Sequence, residues 1–104
     1  MVLVQMLSRD ERLCGFRMEG HAGGKAGSDI VCAAISSAVY MTANTLTDVC
    51  GCEATITVED GFFFLLLQAG DEMRARDVLE GLRLHLSELQ RQYPRRLKVD
   101  LVTI

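Results

Sequence analysis

The stretch from Asp29 to Cys50, D-I-V-C-A-A-I-S-S-A-V-Y-M-T-A-N-T-L-T-D-V-C, contains neither proline nor glycine and is rich in alanine. It predicts a helix of about 21 residues, roughly 32 Å long at 1.5 Å per residue. Val31, Ile35, Val39, Leu46 and Val49 follow helical spacing, with Ile30, Ala34, Ala38 and Met41 close beside them. Their combined apolar surface is wider than an ordinary amphipathic stripe, which implies a helix covered on more than one side.

Upstream of this helix, residues 20–28 read G-H-A-G-G-K-A-G-S, a loop whose four glycines make it too permissive for regular structure. Before the loop, residues 2–8 are an apolar run of strand length and the polar Ser8 to Arg12 forms a turn. Residues 13–20 alternate, with Phe16 and Met18 opposite Arg17 and Glu19, so an opening hairpin is expected. Downstream, residues 53–59 alternate again, with Ala54, Ile56 and Val58 opposite Thr55, Thr57 and Glu59. Asp60-Gly61 reads as a two-residue turn of the mirror-image type, and Phe62 to Leu67 as a central strand buried on both faces.

From Asp71 to about Tyr93 a second helix puts Val78, Leu82, Leu86 and Leu89 on one face and Arg76, Glu80, Arg83 and Ser87 outside. Pro94 stops it, and residues 97–104 close the chain as a strand. The expected order is ββαββαβ: an α+β two-layer sandwich with a five-stranded sheet and two helices. At 104 residues, the length of one domain, residues 1–104 are read as a single unit.

Composition narrows the function. Apolar residues make up 49% of the chain and charged residues 24%, which is globular and not disordered. The net charge is -3, so clustered phosphate-neutralising charge is lacking, apart from four basic residues between Arg91 and Lys98; no nucleic-acid partner is expected. There is no run of eighteen apolar residues, and the first residues lack the basic start of a signal peptide, so neither a membrane partner nor secretion is expected. The four cysteines at 14, 32, 50 and 52 are then read as thiols in a cytoplasmic protein.

Asp29, Cys32 and Ser36 stand at i, i+3 and i+7 and share one face of the first helix. Cys32 also falls in the first turn, where unpaired N–H groups and the positive dipole end favour an anion and can hold an oxyanion. His21 precedes it by eleven residues across the glycine-rich loop, a spacing that lets the chain fold back to bring imidazole and thiol together. Cysteine with histidine is the minimal pair for acyl transfer, the histidine taking the thiol proton and returning it to the leaving amine.

Each residue also has a plainer role. Cys32 can be a core residue, His21 a solvated one, Asp29 an N-cap and Ser36 a hydroxyl bonded back to its own helix. His85, beside the apolar face of the second helix, reads as structural. A C-x-C at Cys50 and Cys52 without a second ligand pair is a poor zinc site, so neither a metal nor another cofactor is expected. The loop fails as a phosphate-binding motif, because only three residues separate Gly20 from Gly24 and Ala26 follows Lys25.

The stretch G-H-A-G-G-K-A-G-S-D-I-V-C-A-A-I-S, residues 20–36, resembles the signature of the ribosomal-processing cysteine protease family (Prp): G-H-A, a variable glycine-containing loop, then D-x-V-C-A-A-x-S. The chain's length and element order agree with that family. The resemblance implies removal of an N-terminal extension from a large-subunit ribosomal protein, and a homodimer, which fits the broad apolar helix. It implies Cys32 as nucleophile and His21 as its proton-transfer partner. Gly20 would let the chain turn so that His21 points back, Asp29 would support the site and Ser36 would complete its polar face. The glycine-rich loop would move or order to admit substrate. A non-catalytic peptide-binding factor in ribosome assembly, and a thiol redox module built on Cys50 and Cys52, are the alternative readings.

Overall fold

The computed structural model describes residues 1–21 and 29–104; most of the glycine-rich loop, residues 22–28, with Lys25 and the expected loop movement, lies outside the described residues. Strands β1 (Val2–Arg9) and β2 (Arg12–Gly20) form the opening hairpin. Helix α1 (Ile30–Asn44) continues into one π-helical turn (Thr45–Val49) and is followed by β3 (Ala54–Glu59), β4 (Phe62–Leu67), α2 (Glu72–Gln92) and β5 (Leu97–Thr103). This is the expected ββαββαβ order in an α+β two-layer arrangement.

The sheet runs β3-β4-β2-β1-β5. Every neighbouring pair is antiparallel except β1 and β5, whose parallel register pairs Val2 with Leu97 and Ser8 with Thr103. A parallel neighbour needs a long crossover, and α2 supplies it between β4 and β5. Both helices cover the same sheet face. The core there joins Val4, Met6, Phe16, Phe63, Leu65 and Leu97 to Val31, Ile35, Val39 and Leu46 of the first helical segment and Leu79, Leu82 and Leu86 of α2. The Phe16 and Phe63 rings stack with centroids 5.6 Å apart.

Several expectations change. The first helix does not run to Cys50 as a uniform α-helix. Its last turn opens so that the Cys50 N–H reaches the Thr45 carbonyl, five residues back. Thr42, Thr45 and Thr47 hydroxyls each donate to the carbonyl four residues earlier, the kind of back-bonding that loosens a helix. Among the described residues of the single chain this helix is covered on one side, with Ile30, Met41 and Val49 69%, 67% and 79% exposed. Residues 30–49 are long and apolar enough to cross a bilayer, but their inner side is packed into the core of this fold.

β4 is an interior strand paired with β3 and β2, but it is fully buried on one face only. Phe63, Leu65 and Leu67 are buried under the helices, while Phe62, Phe64 and Leu66 on the helix-free face are half-buried. β3 is an edge strand beyond the reach of the helices, which leaves Ile56 and Val58 exposed. On α2 the buried face turns toward Ala75 and Leu79, with Val78 and Leu89 only partly buried and His85 exposed. In the Asp60-Gly61 turn only Gly61 has positive φ, +69°; the turn with both central residues at positive φ is Asp10-Glu11, at 53° and 64°.

Candidate active site

The β2–β4 pairing brings the end of β2 alongside the β3–β4 turn. Glu19 pairs with Phe62, and the next residue, Gly20, donates its N–H to the Gly61 carbonyl at 2.9 Å. Gly20 takes φ +100°, and a side chain there would run into the Met1 carbonyl, so only glycine fits. His21 follows directly from this pinned residue. Across from it, the Asp29 carboxylate accepts from the Cys32 N–H at 3.0 Å and caps α1 as the sequence predicts.

These elements enclose a cleft of about 310 Å³. Gly20, His21, Cys32 and Ser36 all line it, so two of the three residues of the helix's polar stripe meet the histidine in one place, while Asp29 is not among the lining residues. Cys32 is half-buried and packs against the core while facing the cleft, so it is not sealed inside. Among the described residues the Ser36 hydroxyl makes no bond back to its own helix, which removes the plainer reading of that residue. Asp29 lies at the head of α1 as the cap.

Sequence reasoning missed the far wall. Glu59, Asp60, Gly61, Phe62 and Phe63 of the β3–β4 hairpin line the same cleft, and Tyr40 adds to its α1 side one turn beyond Ser36. Tyr40 meets Phe63 edge-on with centroids 5.2 Å apart. Asp60-Gly61 carried a visible turn signal, but nothing local says that this turn faces His21; that follows from β2–β4 pairing. One expectation is modified. In the first turn of α1 the Cys32 N–H goes to the Asp29 carboxylate and the Ala33 N–H to the Asp29 carbonyl at 3.1 Å, so Asp29 already occupies these two donors.

The other three cysteines lie away from the cleft. Cys14 is fully buried at the β1–β2 irregularity beyond Leu7, where its thiol donates to the Leu7 carbonyl at 3.5 Å. Burial pushes its pKa up, as it does for Cys52. A raised thiol is a poor nucleophile, which argues against Cys52 as the attacking thiol of a redox pair. Among the described residues no three His, Cys, Asp or Glu side chains cluster as metal ligands would.

A family model described as Cysteine protease Prp matches residues 1–98. The chain belongs to the Prp family. It is therefore a cysteine protease. The Ribosomal processing cysteine protease Prp of Bacillus subtilis (strain 168) is 29% identical over 99 residues, covering 88% of each chain. Among solved structures, the essential ribosomal processing protease Prp from S. aureus with a covalently linked product peptide superposes with a TM-score of 0.90 at 24% identity, over 98% of this chain and all of that one. The same S. aureus protease with a substrate peptide gives 0.85 at 23% identity, over 98% and 100% of the two chains. Both likenesses are of fold.

Proposed function

We propose that this Prp-family protease removes the N-terminal extension of a large-subunit ribosomal protein, with Cys32 as nucleophile and His21 as general base and acid. The observation that carries the reading is the convergence of His21, Cys32 and Ser36 on one cleft at the head of a helix. The names of the similar proteases, with their peptide complexes, support a ribosomal substrate.

In this mechanism an extended peptide lies in the cleft and the Cys32 sulfur attacks the scissile carbonyl carbon. His21 takes the thiol proton and delivers it to the nitrogen of the leaving amine as the C–N bond breaks. Water, deprotonated by His21, then adds to the thioester; the C–S bond breaks and the sulfur regains its proton. The positive end of the α1 dipole favours the negative charge developing at the carbonyl oxygen. Asp29 holds the first turn in place, and Ser36 offers a hydroxyl to the peptide one turn further along.

On this reading the protein acts in the cytoplasm as a homodimer, the exposed Ile30, Met41 and Val49 of the first helical segment supplying apolar surface for a second copy. A sedimentation mass of one chain would remove the dimer without touching the protease assignment. The deciding experiment is cleavage of the extended ribosomal protein's N-terminal peptide by the native protein beside Cys32→Ala and His21→Ala. Both substitutions are expected to cut the rate by about 1,000-fold or more with little change in Tm. Cleavage by Cys32→Ala at the native rate would overturn the assignment.

A further inference from the structure

Gly61 serves the β3–β4 hairpin, but its surroundings show a second constraint. A Cβ built on Gly61 would lie 2.8 Å from Nε2 of His21, 3.3 Å from Cε1 and 3.5 Å from Cδ2. The three atoms are the distal edge of the imidazole, so the ring's Nε2 corner stands where a Gly61 side chain would begin. The backbone immediately before the ring is tied to the same residue, through the Gly20 N–H bonded to the Gly61 carbonyl. One residue therefore holds the chain leading into His21 and leaves room for its ring.

The glycines elsewhere separate this from simple turn chemistry. Gly51 has nearly the same φ, +70°, yet a Cβ there meets nothing closer than the Arg74 Nη1 at 3.8 Å. Gly70, at +105°, has nothing within 4 Å. Left-handed backbone alone accounts for glycine at those two positions. At Gly61 a second constraint is added, because a side chain that tolerates the backbone would still meet the ring and push it aside.

We infer that Gly61 is a positioning residue for His21: its missing side chain is the space in which the imidazole is seated facing the cleft. The inference rests on His21 being the base proposed above. Its test therefore includes a reading that does not depend on cleavage. Gly61→Asn is compared with Gly51→Asn, because asparagine is among the residues that best accept left-handed φ. The chain has two histidines, so ring proton–carbon NMR spectra report His21 with His85 as internal reference.

Gly61→Asn is expected to move the His21 ring signals and leave those of His85 in place. It should lower kcat on the extended peptide by about 10- to 100-fold with KM within about twofold, as misplacing a catalytic group does. Gly51→Asn should change neither reading. Gly61→Ala, with the smallest side chain that meets the ring, gives the same readings should the asparagine variant fail to fold. Unmoved His21 signals, or an equal shift in Gly51→Asn, would overturn the inference. If the native protein cleaves nothing, the substrate assignment fails, while the ring signals still decide the role of Gly61.

Discussion

The two hairpin turns of the sheet make opposite use of glycine. The β1–β2 turn is Asp10-Glu11, with both residues in the left-handed region and no glycine. The β3–β4 turn is Asp60-Gly61, and only the glycine is left-handed there. Each left-handed non-glycine residue costs on the order of 1 kcal/mol or more, so on backbone preference alone glycine belongs in the first turn. That turn lies at the far end of β1 from the cleft, beside the ion pair of Arg9 and Glu72 at 3.0 Å. The second turn faces His21. Glycine stands where a side chain has no room, and the turn that needs it more conformationally goes without.

The largest effect is expected at Gly20, whose N–H is bonded to the Gly61 carbonyl. Gly20→Ala puts a methyl into the Met1 carbonyl at φ +100°, and no flexible side chain can yield there. A loss of about 2–4 kcal/mol is expected, lowering Tm by on the order of 10–20 °C and removing cleavage with it. Thermal unfolding with a parallel cleavage assay distinguishes this from Gly61→Asn, where activity falls and stability largely stays. A Tm within a few degrees of the parent would show that the chain end at Met1 gives way to the added methyl.

A smaller effect comes from the other end. Arg9 donates to Glu72 and, at 3.4 Å, to the Leu67 carbonyl, while Glu72 accepts from the Gly70 N–H at 2.8 Å. The hydrogen bond from Arg9, with help from backbone N–H groups, holds the Glu72 carboxyl below its ordinary range. A carboxyl with a lowered folded-state pKa contributes stability that is present above its unfolded pKa and lost as pH falls through the folded one. Glu72→Gln is therefore expected to sit a few degrees below the parent in Tm near neutral pH. The gap should close below about pH 4, as the parent loses the same interaction. A gap that stays constant in acid would mean that packing, not charge, ties this end down.

How much of this was legible follows from which forces are local. The two helices, both hairpins and the Asp29 cap were readable, because periodicity and capping act within a few residues. The stripe of Cys32 and Ser36 with His21 upstream was readable for the same reason. The sheet order was not, and with it went the far wall of the cleft. Gly61 and Phe62 reach His21 and Cys32 only through the pairing of β2 with β4, which no local pattern encodes, whereas Tyr40 continues the Cys32–Ser36 face of α1 and was within reach of helical spacing. Phe62 to Leu67 is apolar throughout and suggested burial on both faces. In fact Phe62 on the helix-free face lies under Arg17, whose guanidinium stands 5.1 Å from the ring centroid. The π turn that ends the first helix depends on threonine hydroxyls bonding their own helix, a competition that residue spacing does not reveal.

One change is expected to stabilise the protein. Replacing Asp10 and Glu11 with Asn and Gly supplies the pair that a two-residue mirror-image turn prefers, at a place where both φ values are already positive. Neither residue lines the cleft. The double substitution should stabilise the fold by about 1 kcal/mol, raising Tm by roughly 4–8 °C, through relief of left-handed strain at Glu11 offset by the greater freedom of glycine when unfolded. Peptide cleavage should stay within about twofold of the parent. A gain in Tm with unchanged cleavage would show that this turn carries strain unrelated to the site. A loss in Tm would mean that the Asp10 and Glu11 side chains do something for the hairpin that their backbone angles conceal, and the contrast with Gly61 would then rest on the His21 contact alone.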